Sequence, residues 1–376
     1  MQDLLSMQPH PWIIVTSVAV VLQLVYYLLF FSRLARYDQN NEQPASSPQP
    51  VSVIICAHNE ITALQKNLPV ILSQSHPHYE VVVVDDCSND GTTGFLDQLA
   101  ANHPRLMVIH KTEAGGKGKR APLTLGITKA SYDRMVLTDA DCRPTHADWL
   151  LRMTAPFDNG KQIVLGFGAY ERKTGWLNRL VRFDTYLTAL QYFSFHLSGM
   201  TYMGVGRNLA YTKDVFKKSG GLGSGGKLLS GDDDLFVNRA IKYADADIRL
   251  HPDSWTISAA PQTFTEWIHQ KRRHVSTGPS YRLKHKMVLG LFLFSQTFFY
   301  VMMIGGMCLI PQNVFQWSLI LMRLLTIGVL NNYCLNKSGG RDLFLFSPVL
   351  DLFFAFFYPV IFTIGLVYKT RTWKTN

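Results

Sequence analysis

Cysteine is scarce in this 376-residue chain, and one long stretch of it carries no charge at all. The five cysteines, Cys56, Cys87, Cys142, Cys308 and Cys334, form no Cys-x-x-Cys pair or other metal-binding spacing, and Cys56, Cys87 and Cys142, at or just after expected strand ends, read as reduced, packed thiols, as suits a cytosolic domain. There is no zinc-finger spacing, recognition helix or RNA-binding signature, and the basic turn at 115–120 lacks the Gly-Lys-Ser/Thr of a Walker motif. No nucleic-acid partner is therefore expected, despite a formal charge of +10. Residues 12–31 contain no Asp, Glu, Lys or Arg. No Lys or Arg precedes them and no small-residue cleavage site follows, which argues against a removable signal peptide.

What is present fits a membrane-attached chain. Twenty apolar residues can cross about 30 Å of hydrocarbon, and Arg33 and Arg36 follow the run, so the positive-inside rule puts the N-terminus outside and the next domain in the cytoplasm. Residues 38–50, polar and proline-rich, read as a linker. Three more apolar segments, 287–310, 314–335 and 344–368, follow the basic group Arg282, Lys284 and Lys286 and precede Lys369, Arg371 and Lys374. If all three crossed, the basic tail would end outside, so one of them is expected not to span. Arg323 inside the second is expected to face protein or a polar cavity, because charge facing lipid is costly. The division read from the chain is 1–36 anchor, 37–50 linker, 51–286 soluble domain and 287–376 membrane region.

Between the apolar ends, strands VSVIICA, VVVVDD, LMVIH and RMVLTDAD alternate with helices expected near 60–74, 92–101 and 118–129. Strands that are apolar on both faces belong to a mostly parallel α/β sheet between helix layers, whose ligands sit off the carboxyl strand ends. Asp85, Asp86, Asp139 and Asp141 all lie at such ends. Asp139-Ala140-Asp141 can aim two carboxylates at one site, suited to Mg²⁺ or Mn²⁺ bridging phosphates, though Asp is also common in plain turns. Asp85-Asp86 suits a base or ribose, with Asn89 or Asp90 available to cap the next helix. The turn Gly115-Gly116-Lys117-Gly118-Lys119-Arg120 reads equally as a phosphate cradle or a solvated loop. Asp232, Asp233 and Asp234 open a helix expected at 233–244; more acids stand there than capping requires, and one could deprotonate an attacking hydroxyl.

Taken together, VSVIICAHNE at 51–60, VDDCSNDGT at 84–92, Asp139-Ala140-Asp141, Gly231-Asp232-Asp233-Asp234-Leu235 and Gln270 to His274 resemble the family 2 glycosyltransferases over about residues 51–275, with membrane helices in the manner of ceramide glucosyltransferases and polysaccharide synthases. The resemblance implies a GT-A fold, a nucleotide-sugar donor (a UDP-sugar is expected), Mg²⁺ or Mn²⁺, and inversion at the anomeric carbon. Carried over by position, Asp86, with Asp85 as the alternative, meets the base; Asp139 and Asp141 meet the sugar-diphosphate and the metal; Arg273 lies near the diphosphate; and Asp232 is the base, while Lys119 of the basic turn is read separately as a donor-side residue. Gln270, His274, Gly206 and Asn208 fall on the acceptor side. Gly231 replaces the usual Glu, and His274 the usual Trp that supports an acceptor sugar in processive relatives. The expected activity is therefore transfer of one sugar to a lipid or lipid-linked acceptor, by an integral protein of the bacterial cytoplasmic membrane with its catalytic domain in the cytosol. A processive polysaccharide synthase and an inactive membrane scaffold are the alternatives.

Overall fold

The computed structural model describes residues 11–112, 118–223 and 231–367. Gly115, Gly116, Lys117, Lys369, Arg371 and Lys374 lie outside them. Helix α1 (Pro11–Val25) continues through a π-helical stretch (Tyr26–Phe31) into α2 (Ser32–Arg36), forming one rod. Then β1 (Val51–Ala57), α3 (Ile61–Leu72), β2 (Tyr79–Asp86), α4 (Thr92–Asn102), β3 (Leu106–Lys111), α5 (Arg120–Lys129) and β4 (Arg134–Leu137) alternate as expected. They are followed by β5 (Cys142–Pro144), α6 (Trp149–Asp158), β6 (Ile163–Gly166), β7 (Gly168–Tyr170), α7 (Trp176–Leu197), β8 (Leu209–Thr212), α8 (Lys213–Lys218), α9 (Asp234–Ala240), β9 (Ala246–Arg249), β10 (Thr256–Ser258) and α10 (Phe264–Val275). The C-terminal region holds α11 (Leu283–Leu309), α12 (Val314–Lys337), a 3₁₀ turn (Arg341–Phe346) and α13 (Ser347–Val367). Helix α9 stops short of the expected 244 because the chain turns after Ala240 to enter β9.

The main sheet runs β3-β2-β1-β4-β8-β6-β9, and only β8 is antiparallel to its neighbours. Period-2 alternation divides the β-branched residues between two apolar layers. Val51, Val53 and Ile55 pack with Leu64 and Leu68 of α3 and Trp149 and Met153 of α6. Ile54 and Val82 face the opposite way, toward Leu123 and Ile127 of α5 and the large cluster that includes α7. A small second sheet, β5-β10-β7, lies beyond the end of β4.

The segment read as a linker is strapped down. Glu42 is buried, and its carboxylate accepts from the backbone N–H of Leu250 (2.8 Å) and His251 (3.0 Å) and from the Tyr37 hydroxyl (3.0 Å). Ala45 N–H donates to Leu151 at 2.9 Å. These carboxylate bonds satisfy peptide groups that burial would otherwise leave unpaired.

Among the described residues, four helices are long and apolar enough to cross a membrane: Pro11–Arg36, Leu283–Leu309, Val314–Lys337 and Arg341–Gly365. The first three form a bundle in which α11 runs antiparallel to the other two. Trp12 donates to the Met302 carbonyl, Gln23 to Ser295 and Tyr26 to the Val288 carbonyl, while Lys337 reaches the Tyr37 carbonyl. Arg33, Arg36, Arg282, Lys284, Lys286 and Lys337 therefore gather at the domain end, and Pro311-Gln312-Asn313 at the other end carries no charge. Arg323 faces protein, as expected. It is fully buried and pairs with Asp351 of α13 (2.9 Å), the Tyr300 hydroxyl (3.0 Å) and Gln23 (3.0 Å). Helix α13 differs from the others in touching domain elements at both ends. The turn before it is held by the Asp342–Arg182 pair, and farther along Phe357 stacks on Trp267 of α10 at 4.7 Å, with Phe362 packed beside Gly278.

Candidate active site

Loops after β1 and β2 set the outer edge of the site. Asn59 and Cys87 adopt positive φ, and the two loops are stitched together by Asn59 N–H to Ser88 (2.9 Å) and Asn89 N–H to Asn59 (2.8 Å). Asp90 accepts from both Ile61 N–H (3.2 Å) and Thr92 N–H (3.0 Å), capping two helix starts at once. Asp85 is buried and taken up by Thr93 (2.6 Å), Ser88 N–H (3.3 Å) and His110 (3.5 Å). Burial pushes its carboxyl up, but these hydrogen bonds outweigh it and hold the pKa below the usual range. Asp86 is more exposed and pairs with Lys111 at 2.6 Å, so of the two acids it is the one open to a ligand.

Asp139 follows β4, and Asp141 follows in the turn that leads into β5. Their carboxylate oxygens and the Cys142 thiol all lie within 4.8 Å of one another. Asp139 is also ion-paired with Lys119. Burial raises its carboxyl, but the Lys119 ammonium outweighs this and leaves the pKa lowered. Asp141 has no such cation; burial and then the Asp139 charge push it to about 6, although its carboxyl remains reachable by solvent. Burial also keeps the Cys142 thiol protonated, so the hard oxygen pair, and not the sulfur, suits a Mg²⁺ or Mn²⁺ ion.

The three consecutive acids have three different jobs. Asp232 accepts from Arg120 Nε at 2.8 Å; burial and the neighbouring Asp233 raise it to about 6, against the pull of Arg120. Asp233 caps α9 and accepts from Gly206 N–H at 2.7 Å, and a Cβ at Gly206 would press on it. Asp234 is buried against the Thr277 (2.5 Å) and Tyr281 (2.6 Å) hydroxyls, tying α9 to the junction between α10 and α11. The basic turn thus bridges both acidic motifs, Lys119 to Asp139 and Arg120 to Asp232.

Helix α10 is capped by Thr263, which accepts from Glu266 N–H, and is anchored by fully buried Asp184 of α7. Asp184 accepts from Lys271 (2.5 Å), Trp267 (3.1 Å) and Tyr358 of α13 (2.5 Å). The anchored face presents Gln270, Arg273 and His274. Gln270 donates to the Tyr170 hydroxyl at 3.0 Å, and the same ring carries the Arg207 guanidinium stacked at 4.3 Å. Desolvation, then the charges of Lys271 and Arg273, hold His274 well below its ordinary pKa, so it is neutral at pH 7.

One cavity of about 510 Å³ joins these groups. Lys119, Asp139, Gly206, Asp232, Gln270, Arg273 and His274 line it, together with Leu289, Gly290, Leu293 and Gln296 of α11 and Tyr358 and Phe362 of α13. Asp85, Asp86 and Asp141 border the same strand ends without lining it. Asn208, read as acceptor-side, is corrected: it is wholly buried, accepts from Trp149 (3.0 Å) and donates to the carbonyls of Phe167 and Ser254. Its amide satisfies core groups and leaves nothing for a ligand. Arg207, Tyr170 and Asp184 escaped the sequence reading, although Arg207 stands between Gly206 and Asn208, and Arg120 was named only as the end of the basic turn.

Residues 52–220 match the model of glycosyl transferase family 2. The chain carries a family 2 glycosyltransferase domain. It is 25% identical over 296 residues to the probable glycosyltransferase YdaM of Bacillus subtilis (strain 168), covering 73% of this chain and 67% of that protein. Over 141 residues it is 30% identical to the beta-monoglucosyldiacylglycerol synthase of Synechocystis sp., covering 37% of this chain and 28% of that enzyme. Among solved structures, the mannosyltransferase PcManGT from Pyrobaculum calidifontis, in complex with GDP-Man and Mn²⁺, superposes with a TM-score of 0.59 at 18% identity, over 91% of this chain and 97% of that one. This likeness shows the GT-A fold for the family 2 domain, to which the long apolar helices are attached.

Proposed function

We propose that the chain transfers one sugar, with inversion, from a nucleoside diphosphate sugar to a lipid or lipid-linked acceptor at the cytoplasmic face of the membrane. The observation that carries this reading is the single cavity running from Lys119, Asp139 and Asp232 to the membrane helices α11 and α13. Support for a nucleotide-sugar donor comes from PcManGT, whose complex holds GDP-Man, and for a lipid acceptor from the Synechocystis enzyme's name.

Asp86 and Lys111 stand where a base or ribose would lie, and Lys119, Arg207 and Arg273 stand where the diphosphate would. The acceptor hydroxyl oxygen forms a bond to the anomeric carbon from the side opposite the phosphate. As the bond to the diphosphate oxygen breaks, Asp232 takes the hydroxyl proton and those cations meet the leaving charge. One displacement inverts the centre. Asp139 and Asp141 would hold the divalent ion, with Asp139 shared with Lys119. When bound, that ion supplies neutralisation of the diphosphate. The basic residues at the domain end of the three-helix bundle support a cytosolic domain under the positive-inside rule, and the contacts of α13 with domain elements at both ends support reading it as the segment that does not cross.

The test uses the purified protein in lipid nanodiscs with a panel of nucleotide sugars. Release of nucleoside diphosphate and entry of sugar label into the lipid phase are expected, both lost in Asp232→Asn; folded protein that turns over no donor would overturn the reading. A protease site placed after Arg36 should resist cleavage from outside intact cells, and cleavage there would reverse the topology.

A further inference from the structure

The cavity continues beyond the catalytic carboxylates. Past His274 it runs as an arm between α11 and α13, along Leu289, Gly290, Leu293 and Phe362. A Cβ built on Gly290 would have no heavy atom within 4 Å, and Phe362 is 36% exposed, so the arm has an open side. Leu289, Gly290 and Leu293 belong to a helix long and apolar enough to cross a membrane, and in the membrane-bound reading above that open side faces hydrocarbon.

Charge in the arm is largely spoken for. Lys271 is held by Asp184 at 2.5 Å, and the Tyr358 hydroxyl donates to the same carboxylate. Lys286, one turn before Gly290, stands at the mouth at head-group level. At the inner end, the attacking oxygen must come beside Asp232, next to Asp233. There Arg120 is committed to Asp232 at 2.8 Å and Lys119 to Asp139, while Arg207 and Arg273, which also line the cavity, are assigned in the transferase reading above to the departing diphosphate. An acceptor whose nucleophile is already an anion would meet two carboxylates and bring no proton for a base to remove. A hydroxyl brings the proton and no charge.

We propose that the acceptor is an uncharged lipid alcohol, its hydrocarbon chain lying in the arm between α11 and α13 and its hydroxyl beside Asp232, and not a lipid phosphate. This rests on the transferase reading above. In the step, the alcohol oxygen bonds to the anomeric carbon, the bond from that carbon to the diphosphate breaks, and the proton goes to Asp232.

The experiment offers the full-length protein in nanodiscs a nucleotide sugar together with diacylglycerol, a long-chain primary alcohol or a polyprenyl phosphate, and follows both lipid labelling and donor hydrolysis by water. Label is expected in the neutral lipids. Gly290→Leu, which puts a side chain into the open arm, should lower the ratio of lipid transfer to hydrolysis at least tenfold, with the remaining hydrolysis reporting an intact fold. Preference for the polyprenyl phosphate, or an unchanged ratio in Gly290→Leu, overturns the proposal while leaving the transferase reading standing. Absence of any donor turnover by the wild type overturns both.

Discussion

The donor end of the cavity and its membrane end are built from opposite materials. At the end proposed for the donor, charged groups near the strand ends are held in pairs, Lys119 on Asp139, Arg120 on Asp232 and, just outside the cavity, Lys111 on Asp86. At the membrane end, long helices present Leu289, Leu293 and Phe362, and the ionic groups are sunk between helices, as with Asp184 and Lys271 or Arg323 and Asp351. The first end has charges ready to meet a developing charge, and the second uses them to hold helices together. Substitutions should therefore separate chemistry from assembly.

The largest effect is expected from Asp232→Asn, a loss of about 10²–10⁴-fold in turnover, the usual scale for a missing general base, with donor binding retained. Equal loss of donor affinity, read by titration calorimetry, would make Asp232 a binding group. Asp141→Asn should remove most activity together with sensitivity to EDTA, and wild-type-like turnover of that variant in EDTA would break the assignment. On the membrane side, Arg323→Ala leaves Asp351 buried without its cation and should cost about 3–5 kcal/mol of stability in thermal unfolding of the solubilised protein. If instead it slowed catalysis at unchanged stability, the division between the two ends would fail.

Smaller effects sharpen the boundary. His274→Ala should reduce transfer to the native acceptor about tenfold more than donor hydrolysis, in line with the cost of one lost contact in the transition state; a parallel fall in both would move His274 to the donor side or the fold. Because Asp232 must be ionised to act and its pKa is raised to about 6, kcat/KM should fall as pH drops through 6, to about half the plateau there and about a tenth at pH 5. Arg120 pulls that pKa down, so Arg120→Gln should move the acid limb upward.

Legibility follows the same divide. The parallel strands, the helices between them and every acidic motif were readable because β-branched runs and clustered acids are local signals, set by residues within a few positions of one another. The antiparallel strand β8, the small sheet β5-β10-β7 and the long helix α7 left no such mark. Asn208 was misread because a polar residue in a motif looks the same in sequence whether its partners are ligand atoms or, as here, Trp149 and two carbonyls far along the chain. Asp184 joins α7, α10 and α13 across 83 and 174 residues, and no window along the chain contains that contact. The arm between α11 and α13 is a product of such contacts, which is why it appears only in three dimensions.

The hydrogen bond from Gln23 to Ser295 also has a consequence for biosynthesis. The two residues are 272 positions apart, so at ordinary translation rates the first helix enters the bilayer about 14–54 s before its partner leaves the ribosome. Throughout that interval its amide lacks both Ser295 and Arg323. The newborn helix must find temporary polar company, from water, lipid head groups or the insertion machinery, and give it up once the later helices arrive.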